Sequence, residues 1–221
     1  MSRAPQNTTA TSAKLPSAQR RTTHRGVARR AQILAAATTL FLEHGYSAAS
    51  VDAIVKAVGG SKTNVYSQFG GKEGLFMAVV QSQYASFLHD YLQLKLTGLA
   101  AQPGLALLGN ALLDILLQDQ PVAFQRLIWA ESGRYPAVGK VWFEAGPQRS
   151  RGFMADFIRL RQGAGELASG DAMALATVFH SMLVFNPVQL ALLGQRPSPA
   201  QVAAHVDAVV RLFLNGCMRT T

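Results

Sequence analysis

One cysteine, Cys217, is all that the chain's 221 residues contain. A lone thiol excludes an intrachain disulfide framework and fits a reducing compartment, so a cytoplasmic location is expected. Cys217 itself reads as an incidental thiol rather than a redox switch. No unbroken apolar run reaches the length of a membrane span, and no membrane association is expected. The N-terminus has no apolar segment of the kind a secretory signal needs. Catalytic signatures are missing too: there is no phosphate-binding loop, dinucleotide fingerprint or nucleophile elbow. His24, His44, His89, His180 and His205 do not fall at zinc-ligand spacing. The residues therefore suggest a protein that is not an enzyme and that carries no cofactor and no metal. Acidic residues are also scarce, with 12 Asp and Glu against 21 Lys and Arg, a formal net charge of +9.

That charge is unevenly placed. Residues 1–75 hold ten Lys and Arg against Glu43, Asp52 and Glu73, a net of +7. The remaining chain holds eleven against nine, a net of +2. A basic N-terminal third is the distribution that contact with nucleic-acid phosphates requires. Residues 1–24 carry part of it. They lack hydrophobic periodicity and contain Pro5 and Pro16, so a disordered basic arm is expected there. Such an arm can track phosphates or enter a minor groove, or serve only as a tail.

The most informative stretch is SVDAIVKAVGGSKTNVYSQFGGKEGL, residues 50–75. Val51, Ile54, Val55 and Val58 recur at one helical face. Ser50 is placed to cap that helix, whose N-terminal amides can grip a phosphate. Gly59-Gly60 then allows a sharp turn. Ser61 caps a second short helix, Lys62 to about Phe69, with Val65 and Phe69 facing inward and a polar face outside. Before them, about Arg25–His44 reads as one amphipathic helix that Gly45-Tyr46 ends. Together, residues 25–71 form a three-helix unit with a helix-turn-helix.

The side chains of the outer face suggest a division of labour. Asn64 can contact adenine through two hydrogen bonds, Thr63 can reach a base edge or a thymine methyl, and Gln68 can also reach a base edge. Ser61, Lys62 and Tyr66 are better suited to hold phosphates and set register. Tyr66 can also contribute to packing.

This stretch resembles the DNA-binding domain of the TetR/AcrR family of bacterial transcriptional regulators. The matching residues are Ser61, Lys62, Tyr66, Phe69, Lys72, Glu73 and Leu75. Upstream, Ile33, Leu34, Ala37, Phe41, Gly45 and Tyr46 fit the family's first helix and the turn after it. The resemblance covers about residues 27–80 and implies that Lys72 contacts a phosphate. Val65, Asn64 and Gln68 depart from the usual pattern, and the last two alter the reading surface, so the operator sequence does not carry over from relatives.

Beyond residue 72 the chain is expected to form one helical domain of ligand binding and dimerisation, making the whole protein all-α. A helix from Lys72 to about Leu96 would join the two domains and act as a lever. Gly98–Gly104 reads as a loop, followed by helices at about Pro103–Leu117 and Pro121–Ser132. Pro136 opens another helix, which Gly146-Pro147 breaks before it runs on to about Gln162. The stretch RLIWAESGRYPAVGKVWFEAGP, Arg126–Pro147, is similar to the AefR-like branch of the family. The last helices, about Asp171–Leu193 and Ser198–Gly216, are the most apolar and offer more apolar surface than one copy can cover. A two-fold homodimer answers this, and the resemblance implies the same.

Phe124, Trp129, Trp142, Phe143, Phe179 and Asn186 are candidates to line a ligand pocket. Each is also compatible with plain core packing. His180, amid apolar residues, reads as a core histidine. Pro187 within a helix frees a backbone carbonyl that some other group must satisfy. The expected function is a dimeric DNA-binding repressor on a palindromic operator in double-stranded DNA, released by a small apolar or amphipathic effector. Two other readings stay open: a non-specific architectural DNA binder, and a helical enzyme or carrier with an apolar cavity.

Overall fold

Serine hydroxyls start two of the first three helices. The Ser50 oxygen accepts a hydrogen bond from the Ala53 amide at 3.1 Å, and that of Ser61 accepts from the Asn64 amide at 3.3 Å. Each satisfies one amide that the first helical turn leaves without a partner. In this computed structural model, which describes residues 24–217, the chain folds into ten α-helices with no strand among the described residues. The arm expected at 1–24 lies outside them, apart from its last residue.

The N-terminal unit comprises α1 (His24–Ala48), α2 (Val51–Val58) and α3 (Lys62–Phe69). The helical span of α1 is interrupted where Gly45 takes a φ of 76°, so the glycine ends the regular helix as the sequence suggests. Next come α4 (Lys72–Phe87), α5 (Ala101–Leu116), α6 (Asp119–Ser132) and α7 (Pro136–Ala145). The last three are α8 (Pro147–Gly163), α9 (Ala172–Leu192) and α10 (Pro199–Cys217).

Two expectations need correction. The lever helix ends at Phe87 rather than near Leu96, and a single 3₁₀ turn follows at Tyr91–Gln93. Leu88, Tyr91 and Leu96 are all buried in one core, yet Leu94 has extended angles (φ −57°, ψ 131°). Leu94 and Leu96 thus belong to a chain that has left the helix and runs extended. Residues 101–104 are helical rather than loop. Gly104 is a packing glycine: a Cβ there would meet the Phe157 ring at 2.0 Å. Its missing side chain lets α5 close on α8.

Two apolar cores result. One joins Leu105, Leu108, Leu112, Phe157, Phe179, Leu183 and Val206 between α5, α8, α9 and α10. The other is built on Phe41, Tyr46, Ile54, Val65, Phe76 and Tyr84, and it also takes in Phe124, Ile128 and Val138 from α6 and α7. The rings of Phe41, Tyr46 and Phe76 pack mutually at 4.9–5.8 Å, and Tyr135 closes on Tyr46 edge-on at 4.8 Å. The helix-turn-helix therefore rests on α4, α6 and α7 through continuous apolar packing.

In α9, length and composition alone would allow a membrane crossing, yet the helix packs against α8, α10, α5 and α6. Pro187 sits inside it without ending it. The carbonyl that loses its helical partner is four residues earlier, at Leu183. The His205 Nε2–H of α10 donates to that Leu183 oxygen at 2.9 Å. The C-terminal end of α9 is closed from α6, where Arg126 donates to the Leu192 and Ala191 carbonyls, each at 2.9 Å. A cation at a helix C-terminus also opposes the helix dipole favourably.

Candidate functional site

On α3 the outer face is polar and open. Ser61, Lys62, Thr63, Tyr66, Ser67 and Gln68 are exposed, Asn64 is half-buried, and Val65 is buried against the core. Tyr66 is 56% exposed, which places its ring among the surface groups rather than in the core. Gln68 Nε2 donates to Asn64 Oδ1 at 2.6 Å, so the two amides one turn apart form a single linked group. Lys62 pairs with Asp52 of α2 at 2.7 Å, both side chains exposed, where such pairs contribute little. Ser50, exposed at the start of α2, holds its cap as expected.

Three nearby cations are occupied within the fold. Arg29 donates from Nη1 to the Val58 carbonyl at 2.7 Å and from Nη2 to the Gly59 carbonyl, pinning the turn between α2 and α3 to α1. The Arg30 guanidinium lies over the Phe69 ring at 4.5 Å. Lys72 Nζ donates to the Ser47 carbonyl at 3.0 Å and lies 4.5 Å from the Tyr46 ring centre. Partial burial holds its ammonium below the usual lysine range, while Glu131 opposes that shift. These cations thus brace the helix-turn-helix, a role that charge counting does not reveal. A short run after α3, Gly70-Gly71, both at positive φ, turns the chain directly into α4.

At the far end of α4 lies a cavity of about 150 Å³. Tyr84 and Leu88 of the α4 end line it, with Trp129, Trp142, Arg151 and His180 contributed by α6, α7, α8 and α9. It opens where Gly146-Pro147 breaks the helical path between α7 and α8. Gly146 is needed there, since a Cβ would stand 2.7 Å from Tyr84 Cδ1 and 3.2 Å from the Trp142 carbonyl oxygen. Burial, and secondarily the Arg151 charge, push the His180 imidazole down to about 4, so it is neutral near pH 7. Arg151 Nε lies 3.5 Å from His180 Nδ1, a weak contact that makes Nδ1 the acceptor. Burial raises the Tyr84 hydroxyl well above the usual phenol range.

Of the six residues expected to line a pocket, Trp129 and Trp142 do so. Phe124 and Phe179 are fully buried core rings, with Phe179 against Phe213 at 5.0 Å. Phe143 and Asn186 are exposed and lie outside the cavity lining. Sequence reasoning missed Tyr84, Arg151 and the placement of His180. Of these, only the Gly-Pro break offered a signal, because a break between two helices leaves space beside it.

Residues 33–79 match the family described as bacterial regulatory proteins, tetR family, and residues 103–216 match the C-terminal domain of AefR-like transcriptional repressors. The chain is 29% identical to a TetR-family transcriptional regulator from Mesorhizobium loti of known structure, with a TM-score of 0.79 over 88% of this chain and 99% of that one. It is 30% identical to the flavonoid-responsive regulator FrrA, with a TM-score of 0.77 over 88% of this chain and 100% of that one. Two curated relatives match over the N-terminal third. The transcriptional activator FasR of Mycolicibacterium smegmatis is 43% identical over 53 residues, 24% of each protein. The repressor AcnR of Corynebacterium glutamicum is 39% identical over 56 residues, 25% of this chain and 30% of AcnR. The chain thus spans less than a third of the length of either of these two relatives.

Proposed function

The chain belongs to the TetR family of bacterial regulators, in its AefR-like branch, and from that premise we propose that it is a cytoplasmic, homodimeric repressor that binds a palindromic operator and is released by a small molecule. One observation carries this reading: α4 begins two residues after the polar face of α3 and ends in the wall of the cavity. A molecule filling the cavity meets Tyr84 and Leu88, and any displacement of that end of α4 is felt at the helix it carries. Release requires the molecule to bind the DNA-incompetent arrangement more tightly than the competent one.

On the DNA, Asn64, Thr63 and Gln68 read base edges, and Ser50, Ser61, Lys62, Tyr66 and Lys72 hold phosphates. The exposed apolar residues Val178 and Phe185, seven apart on α9, together with Leu212 on α10, supply the dimer face. An architectural binder is disfavoured because Arg29 and Arg30 are engaged within the fold, leaving fewer free cations than the charge count implies. Selection of binding sites by the wild type and by Asn64→Ala tests the reading. The expected outcome is a relaxed preference at one or two positions per half-site, at a cost of about 1–3 kcal/mol for the lost base contact. An unchanged preference would overturn the assignment of Asn64.

A further inference from the structure

The cavity has one charged side chain, Arg151, beside the neutral polar groups of Tyr84, Gln125, Ser150 and His180. Arg151 enters it, no Asp or Glu lines it, and no carboxylate lies within ion-pair distance of Arg151 among the described residues. Its nearest polar neighbour is the neutral His180 ring, at a distance where the interaction is weak. Its other contact is the Phe143 ring at 5.4 Å. Arg151 is half-buried with no counter-charge beside it, and this partial loss of water lowers its pKa from the ordinary value. The Tyr84 hydroxyl is buried with no protein partner; the Trp142 indole lies beside it but outside hydrogen-bond geometry. Around these groups, Trp129 and Trp142 supply aromatic surface.

The size of the space narrows the class further. A space of about 150 Å³ accommodates a single benzene ring, and this one is open to solvent beside the exposed Trp129 and Phe185. A planar carboxylate is the group that a guanidinium fork matches best. We propose that the cavity takes a monocyclic aromatic carboxylate, its ring against Trp129 and Trp142 and its carboxylate on Arg151. This rests on the reading of the cavity as the effector site and adds the charge and size of the effector.

The two tryptophans of the chain, Trp129 and Trp142, both line this cavity, so tryptophan fluorescence is sensitive to its filling. Full-length protein is titrated at pH 7 with benzoate and with its neutral isostere benzamide, with calorimetry as a second readout. Benzoate is expected to bind at least roughly tenfold more tightly, the advantage of a charge-assisted contact over a neutral one. In Arg151→Gln, checked for unchanged helicity, that preference is expected to vanish while benzamide binding stays within about twofold. Equal binding of the two probes by the wild type, or a preference that survives Arg151→Gln, overturns the anion assignment and leaves the effector reading intact. No binding of either probe by the wild type at millimolar concentration overturns both this inference and the choice of this cavity as the effector site. The comparison of probes on the wild type holds even if the variant does not fold.

Discussion

Replacing Gly146 with alanine would place a methyl group where the Tyr84 ring now lies. The new Cβ would stand 2.7 Å from Tyr84 Cδ1 and 3.0 Å from Cε1, and an ordinary contact needs at least 3.4 Å. Something must therefore move by roughly 0.7 Å, the gap between those two distances. Retreat is restricted on the other side, where the Trp142 carbonyl oxygen is only 3.2 Å away. Gly146 has a negative φ, so the cost is overpacking rather than backbone strain. Overpacking of this kind costs about 1–3 kcal/mol. For a protein of this size, that lowers Tm by roughly 2–12 °C. Because Tyr84 sits on α4, its displacement is also expected to weaken operator binding. The assay is thermal unfolding at fixed protein concentration, together with DNA-binding anisotropy. A double-mutant cycle with Tyr84→Leu, which removes the ring that clashes, should show a coupling of about 1 kcal/mol or more that favours the double variant. A wild-type Tm for Gly146→Ala, with strictly additive effects in the cycle, would refute the claim that this glycine is needed to admit the Tyr84 ring.

Three further outcomes are expected. Since the folded His180 titrates near 4 rather than 6.5, the unfolded chain takes up its proton first as the pH falls. The contribution of His180 to stability is complete above pH 6.5 and is lost between 6.5 and 4, by roughly 3 kcal/mol over the window. Denaturant titrations of His180→Gln across that range should show a flatter pH dependence than the wild type, and parallel curves would count against it. Replacement of His205 by alanine should cost about 1–2 kcal/mol, because the Leu183 carbonyl loses its donor, and Pro187→Ala should recover much of that by restoring the helical amide. Equal losses with and without Pro187 would contradict this pairing. In Val178→Glu, a charge enters the exposed apolar face of α9, and light scattering should find monomer at concentrations where the wild type is dimeric; persistence of the dimer would move the interface elsewhere.

Local chemistry made the N-terminal third legible. Ser50 and Ser61 are side-chain caps at the starts of α2 and α3, and Gly59-Gly60 marks a turn that other residues resist, so both helices appear in the sequence to within one residue of their ends. Composition was less direct. Charge counting found the basic region, but it could not show that Arg29 closes a turn or that Lys72 bonds the Ser47 carbonyl, since both depend on residues about 25–30 positions away. Leucines at 88, 92 and 96 have helical spacing and so extend the expected lever helix too far; only the tertiary core shows that the chain turns to bury them. In the C-terminal half, an apolar helix buries some aromatic rings and leaves others at a cavity. Phe179 packs on Phe213 in the core, whereas Trp142 stands beside the break at Gly146-Pro147, where the cavity lies. Pro187 was the clearest distant signal: a freed carbonyl demands a donor, and His205 provides it.

The central claim is that this is a dimeric reader of a specific DNA sequence. Selection from a random DNA library at near-physiological salt, followed by affinity for the winning site against scrambled DNA, tests it most directly. The account predicts a palindromic winner bound at least about a thousandfold more tightly than scrambled DNA, with half-sites separated by one or a few helical turns of ~34 Å. No enriched motif, with binding that falls steeply as salt rises and ignores sequence, would contradict it.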